Sequence, residues 1–266
     1  MQQLQNTSPL RFPSIQGMLS AIALAGVAAA PALAQTQDPA EAGRPKWAVG
    51  AGAAFIDKPY RDFDRETRAL PVISYENKWV AVGLPTADVK LFSTDAVSIR
   101  LRARYAGDGY EAGDAPVLAG MEERKGSLWG GGALIWKTGV ANLSAELLAD
   151  TMGNSKGMRA RAQVDRRFPA GRFGLTPRLA VEWVDDKYVD YYYGVRRSEA
   201  TASRAFYEGK STTVVHAGLR ADYTLFNRHT LFTDLNVSRF GGAVKDSPLV
   251  DKPNQTSVAF GYIYRF

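Results

Sequence analysis

Strict alternation of side-chain type is the feature of this sequence that most limits its fold. The last ten residues place large apolar side chains at every second position, on Val258, Phe260, Tyr262, Tyr264 and Phe266. Small or polar residues fill most of the positions between them. Because neighbouring side chains of a β-strand point to opposite faces, this segment is predicted to be a strand with one strongly apolar face.

The same period recurs upstream, where the second face is charged. Arginine alternates with apolar residues in 97–105 and 157–165, and a mixed polar face runs through 214–225. Strands that are apolar on one side and charged on the other are typical of a membrane β-barrel, which faces hydrocarbon outside and a polar lumen inside. A closed barrel also pairs every backbone group, as a membrane requires.

Twelve segments carry this pattern or fit between its turns. They are 46–56, 66–76, 78–84, 87–93, 97–106, 127–137, 140–149, 157–168, 173–186, 211–226, 229–240 and 256–266. Most approach the roughly 9 to 11 residues that a tilted strand needs to cross a bilayer. We therefore predict an all-β fold, a membrane-spanning antiparallel β-barrel of twelve strands.

The lengths of the connections predict a direction. Bacterial barrels have short periplasmic turns and longer outer loops, and the connections near 138, 170 and 227 are short, whereas 187–210 and 241–255 are long. With an even number of strands, both termini lie on the periplasmic side. Merging 78–93 into one strand would give eleven strands and break this topology.

The first residues read as an export signal. Arg11 is followed by an apolar run from Met18 to Ala30, and Ala32-Leu33-Ala34 fits a small-x-small cleavage pattern. The run is too short for a transmembrane anchor, which is the alternative. We expect a cleaved signal peptide over 1–34, a short periplasmic segment over 35–45 and an outer-membrane barrel over 46–266.

The closing strand has a second predicted role. An alternating strand that ends on a carboxy-terminal aromatic residue resembles the assembly signal of bacterial outer-membrane proteins, and here it would comprise Phe260, Tyr262, Tyr264 and Phe266. This implies the barrel-assembly machinery and outer-membrane lipid as partners. Trp47, Trp79, Trp129, Trp136 and Trp183 lie near predicted strand ends and fit aromatic belts, with buried core positions as the alternative.

The sequence offers little catalytic or cofactor chemistry. It has no cysteine and two histidines. His216 is predicted to face the lumen and His229 to lie in a periplasmic turn, and neither has a partner at metal-ligand spacing. Gly153 to Gly157 matches G-x-S-x-G around Ser155, but the motif joins two strands and is better interpreted as a turn than as a hydrolase nucleophile. We predict no enzyme, cofactor or metal. Since the net charge of +6 is modest and its basic residues are spread along strands, we also predict no nucleic-acid partner.

Cations outnumber anions on the predicted lumen face. The set comprises Arg100, Arg102, Arg104, Arg159, Arg161, Arg178, Arg220 and His216 against Glu146, Asp165, Glu182 and Asp222. If these groups pair across the lumen, they close it; if the lumen is open, it favours anions. Twelve strands enclose a narrow lumen, so we expect a largely blocked barrel, with a small anion-selective channel as the alternative.

One cluster carries a family resemblance. The run Trp183-Val184-Asp185-Asp186-Lys187-Tyr188 continues through Tyr192-Tyr193-Gly194-Val195, and with Leu70 to Tyr75, Asp246 to Val250 and the terminal strand it resembles the MipA/OmpV family of outer-membrane proteins. The family loop motif is Asp185, Asp186, Tyr188, Tyr192, Tyr193, Gly194 and Val195.

The resemblance implies a non-enzymatic role. Some members are described as scaffolds that bring a lytic transglycosylase together with a murein synthase, and others as adhesion or stress-related proteins. From the residues alone, 188–193 and a predicted short helix from Ser198 to Tyr207, with Ser198 as its cap, form either an outer recognition surface or a plug folded into the barrel.

Overall fold

The computed structural model describes residues 46–266, and in it the chain forms one closed antiparallel sheet. The strands are β1 (Lys46–Asp57), β2 (Glu66–Glu76), β3 (Val80–Gly83), β4 (Thr86–Ser93), β5 (Val97–Ala106), β6 (Ser127–Lys137), β7 (Asn142–Asp150), β8 (Met158–Asp165), β9 (Phe168–Ala170), β10 (Phe173–Val184), β11 (Thr212–Leu225), β12 (His229–Phe240) and β13 (Asn254–Arg265). The signal peptide predicted over 1–34 and the segment 35–45 lie outside the described residues.

The predicted twelve-strand barrel is confirmed. β8 and β9 form one wall position, because both pair with β10 and only Arg166 and Arg167 separate them. Each remaining strand pairs with its neighbours in chain order, and β13 pairs with β1 to close the sheet, with Ala48 opposite Arg265 and Asp57 opposite Thr256. The predicted division of 78–93 into two strands is also correct, since β3 and β4 pair as a tight hairpin.

The two ends of the barrel differ because successive strands run in opposite directions. One end carries the short connections 77–79, 94–96, 138–141, 171–172 and 226–228, together with the start of β1 and the end of β13. The other side carries 58–65, 107–126, 151–157, 185–211 and 241–253, together with the two-residue turn 84–85. We call these the short-turn end and the long-loop end.

Strand β10 illustrates why the sheet closes on a polar interior. Its outward side chains, Leu179 and Val181 among them, are 58% and 52% exposed, while Thr176 and Glu182 are buried inside. This is the reverse of a water-soluble barrel, and it is expected where lipid replaces water on the outside. Among the described helices, none has the length and apolar character of a membrane span.

Most of the buried apolar side chains lie at the long-loop end. Helix α1 (Asp186–Tyr193), helix α2 (Gly242–Lys245) and a 3₁₀ turn at Pro116–Leu118 pack there over the barrel mouth. We call the segments 58–65, 107–126, 185–211 and 241–253 the cap. The cap's apolar core includes Tyr60, Leu118, Val189, Tyr192, Val195, Val244 and Leu249.

Candidate functional site

The barrel interior is the candidate site, because most of the charged groups that the structure buries meet there. On one wall, β4, β5 and β7 bring together Arg102, Arg104, Asp88 and Glu146. Arg102 donates from Nε and Nη2 to Asp88 at 2.8 and 2.7 Å, and from Nη1 to Glu146 at 2.6 Å. Arg104 donates from both Nη atoms to Glu146 at 2.6 Å. Arg100 also reaches Asp88, at 3.2 Å. These forked contacts hold three arginines around two carboxylates.

A second group lies between β8, β10 and β11. Arg159 Nε donates to Glu182 Oε1 at 2.5 Å, and Arg159 Nη1 donates to Asp108 at 3.2 Å. His216 Nε2 lies 3.0 Å from Glu182 Oε2 and its Nδ1 lies 2.8 Å from Ser238 Oγ. Arg161 donates to Gln163 at 3.1 Å and lies 3.7 Å from Glu182. His216 is therefore part of a polar network.

A third group lies nearer the short-turn end. Arg178 donates from Nη1 and Nη2 to the two oxygens of Asp234 at 2.9 and 2.6 Å, and Arg220 lies 4.0 Å from the same carboxylate. Arg167 pairs with Asp222. All seven arginines of the predicted lumen stripe thus have their side chains inside the barrel, at most 12% exposed.

Several interior partners were not identified from the sequence. Asp234 could have been found, because it alternates with Phe232 and Asn236 on the inward face of a predicted strand. Asp88 belongs to a short strand with a bulge, where parity is harder to follow. Asp108 belongs to a long loop, which has no periodic pattern to place it.

The family loop motif forms the part of the cap that faces the barrel. Asp185 caps α1 by accepting a hydrogen bond from the Tyr188 backbone N–H at 2.9 Å, while Asp186 is exposed. Gly194 ends the helix where a Cβ would lie 2.2 Å from the Asp190 carbonyl oxygen. Tyr188, Tyr192, Tyr193 and Val195 are buried. Of the two alternatives for this segment, the structure has the one in which the tyrosines fold inward.

Tyr188 connects the cap to the charged interior. Its hydroxyl donates to Asp108 Oδ2 at 3.0 Å, and the Arg159 guanidinium lies over its ring at 5.5 Å. Burial, followed by the nearby Asp108 carboxylate, raises the pKa of Tyr188 well above its ordinary value. The phenol therefore stays protonated and available as a donor.

A buried ion pair fixes the cap internally. Arg124 Nη2 lies 2.8 Å from Glu199 Oε2, and the two side chains are 1% and 3% exposed. Burial raises the pKa of Glu199, but hydrogen bonds from the Arg196 and Glu122 backbone and from Arg124 outweigh it, so the net pKa is lowered. The carboxylate is thus charged at neutral pH and holds 122–124 against 196–199.

The helix predicted from Ser198 to Tyr207 is wrong. The helix in this loop is α1, and only Arg197–Glu199 forms a 3₁₀ turn beyond it. The reason is that side chains satisfy the backbone here: Glu199 accepts from the Arg196 N–H, and Arg204 donates to the Glu199 carbonyl at 2.6 and 3.1 Å.

The aromatic belt prediction is also wrong at one position. Trp129 is fully buried, with its ring 5.7 Å from that of Tyr188, because it faces the interior beneath α1. The other four tryptophans are between 42% and 63% exposed on the outer surface.

Cavities remain inside the barrel, and two of them adjoin the charged groups described above. The upper cavity, about 50 Å³, lies between the cap and the Arg159–Glu182 group. The lower cavity, about 160 Å³, extends from Arg104 and Glu146 to Glu76, Lys137 and Asn142 beside the short turns. The larger of these two cavities thus lies toward the short-turn end.

The G-x-S-x-G segment forms the turn between β7 and β8. Ser155 Oγ lies 2.9 Å from Asp150 Oδ2 and accepts from the Gly157 N–H at 3.2 Å, and no helix follows. His229 lies at the short-turn end, 2.6 Å from the Tyr262 hydroxyl. Within 46–266, no group of three or more His, Cys, Asp and Glu residues is placed to hold a metal ion.

The closing strand presents its aromatic side chains outward. Phe260, Tyr262 and Phe266 are 49%, 39% and 72% exposed, and Tyr264 packs at 5.0 Å from the Phe266 ring. Their backbones pair with Ala53 and Ala51 of β1 among others. Recognition of these residues by the assembly machinery stays a prediction.

Comparison with known proteins identifies the family. The family model described as MltA-interacting protein MipA matches residues 49–266. The chain belongs to the MipA family. It is 28% identical to the outer membrane protein YiaT of Escherichia coli K12 over 82% of this chain and 90% of that protein. It is 27% identical to the MltA-interacting protein of the same organism, over 83% and 90%.

A further sequence relative agrees on the location. OmpV of Vibrio cholerae, named an outer membrane protein, is 24% identical over 83% of this chain and 87% of its own length. An outer membrane channel from Pseudomonas putida F1 is similar in structure at a TM-score of 0.42 and 11% identity, over 87% of this chain and all of that one. The MipA-family chain described here is an outer-membrane protein.

Proposed function

We propose that this MipA-family barrel is a non-enzymatic, largely non-conducting scaffold that holds murein-remodelling enzymes, a lytic transglycosylase and a murein synthase, at the outer membrane. The observation that carries the proposal is the family match across the whole barrel, to a model described as an MltA-interacting protein. A relative of similar length carries the same name.

The interior supports a scaffold over a channel. A through-pore needs an open path, whereas here a packed aromatic cap covers the long-loop mouth. Beneath the cap, arginine–carboxylate pairs between nearby strands line the wall and fill part of the lumen. The Ser155 turn lacks a strand-to-helix elbow and its hydroxyl contacts Asp150, which favours a structural role for this serine.

The short-turn end is the surface we assign to the partners. In this family of folds short turns face the periplasm, where murein lies. The short connections carry Lys78, Arg172 and Arg228 against a single acidic residue, Asp95. A basic rim of this kind favours acidic partner surfaces through electrostatic complementarity.

Site-specific photo-crosslinking in intact cells tests the proposal. A photoreactive residue at Val140, 68% exposed in a short turn, is matched with one at Met152, 59% exposed at the long-loop end. We expect adducts with a murein hydrolase or synthase from position 140 and none from position 152. Absence of such adducts at 140, or equal yields at both positions, would contradict the scaffold role or its orientation.

A further inference from the structure

The lower cavity has more cationic than anionic groups on its wall. The cationic residues of the lining are Arg100, Arg102, Arg104, Lys137, Arg161, Arg167, Arg178 and Arg220. The anionic residues are Glu76, Asp88, Glu146 and Asp165. Asp222 and Asp234 lie behind this lining and pair with Arg167 and Arg178. Even with both counted, positive charge remains in excess.

Arg220 has no carboxylate of its own in this cavity. Asp234, its nearest carboxylate, already receives both Nη atoms of Arg178 and lies 4.0 Å from Arg220. Among residues 46–266, no side chain or carbonyl accepts a hydrogen bond from Arg220, whose guanidinium lies over the Phe232 ring at 4.3 Å. None of its nitrogens is among the fully enclosed atoms that lack a partner, so these donors remain open to an anion that enters the cavity.

A second unsatisfied group lies beside it. Thr176 is directly opposite Arg220 in the β10–β11 register and lines the same cavity. It is 6% exposed, and its Oγ1 has no hydrogen-bond partner within the described part of the chain. A buried hydroxyl without a partner is uncommon in native structures, and this one is adjacent to an arginine with free donors.

We propose that the lower cavity is a binding site for a small soluble oxyanion, such as phosphate or a phosphate monoester, which enters from the short-turn end. Arg220 and the Thr176 hydroxyl donate to the oxyanion, and Arg167 and Arg178 add positive potential around it. The cavity volume of about 160 Å³ is well above the roughly 10–15 Å³ that one water needs, which leaves room for a phosphate.

Calorimetric titration of the folded full-length barrel in a nonionic detergent tests this site, with inorganic phosphate as the probe at constant ionic strength. We expect saturable one-site binding. Arg220→Gln is expected to weaken it about tenfold or more, through loss of a charge-assisted contact. Thr176→Val, which keeps the side-chain shape, is expected to weaken it roughly fivefold. Arg172→Gln removes an exposed short-turn charge outside the lining and is expected to leave the affinity unchanged.

A lipid competition and a folding control complete the experiment. Phosphatidylglycerol added to the micelles distinguishes a lipid headgroup from a free oxyanion: we expect it to leave phosphate binding unchanged, and displacement by lipid would overturn the assignment of a soluble ligand. If Arg220→Gln does not show the heat-modifiable gel mobility of a folded barrel, the phosphate affinities of Arg220→Lys and Thr176→Val are compared with that of the parent protein instead. An absence of saturable phosphate binding, or one affinity for all variants, overturns the proposal.

Discussion

The cap and the lower half of the lumen are both interior, yet they are built on opposite principles. The cap is packed like the core of a soluble protein, with Tyr60, Leu118 and Tyr192 almost fully buried. The lower lumen has few large apolar side chains and is held by arginine–carboxylate contacts such as those of Arg102 and Arg178. The difference shows that the long loops supply most of the apolar core of this membrane protein, to which the strands add a few residues such as Trp129 and Leu148.

The reason is the alternation of the wall. Each strand must send its apolar face to lipid, so its inward positions are left for polar groups, and these must pair because they are removed from water. Loops are free of this alternation. They can bury tyrosines together, as the stacked rings of Tyr60 and Tyr193 do at 5.5 Å. Changes in the two regions should therefore affect different properties.

The largest effect is expected from Asp234→Ala in the lower lumen. Asp234 is 1% exposed and serves Arg178 and Arg220, so its removal leaves buried positive charge without compensation. We expect the free energy of unfolding of the whole barrel to fall by about 3–5 kcal/mol. Denaturant unfolding in micelles, followed by tryptophan fluorescence, measures this. Asp95→Ala, in an exposed turn, is the control; an equal effect of the two changes would contradict the paired interior.

A comparable but local effect is expected from Glu199→Ala in the cap. It leaves Arg124 charged and buried, at a cost of about 3–5 kcal/mol to cap closure at most. The barrel wall should be unaffected, so denaturant unfolding should change little while proteolysis or hydrogen exchange of 185–211 accelerates. Glu123→Ala is the matched control, because its contact with Lys125 at 3.9 Å is exposed and worth about 1 kcal/mol or less.

A smaller effect is expected from acid. The folded pKa of Glu199 is lowered, so its contribution to cap stability is complete above the ordinary glutamate pKa of about 4.3 and is lost as pH falls through the lowered value. Hydrogen exchange of 185–211 should therefore accelerate below this pH, and the acceleration should be reduced in Glu199→Gln. The same pH dependence in both proteins would assign it to another group.

The contrast between the regular wall and the irregular cap determines which parts of the fold the sequence could predict. Period-two alternation identifies the twelve strands and places Arg102, Arg161 and Arg220 inside, because parity along a strand fixes the face. The same alternation could also have placed Asp234 inside the barrel. The alternation could not predict the packing of the cap, because contacts such as Tyr60 with Tyr192 join residues far apart in the chain without any repeating pattern. For the same reason Trp129 and the position of the loop helix were predicted incorrectly.

We infer that the cap and the ion pairs close this barrel to through-flow. Planar-bilayer recording of the purified, folded protein tests it most directly. We expect no steady conductance above that of the bare membrane at neutral pH. A stable, anion-selective conductance that decreases in Arg102→Ala and Arg161→Ala would contradict it and establish an open channel instead.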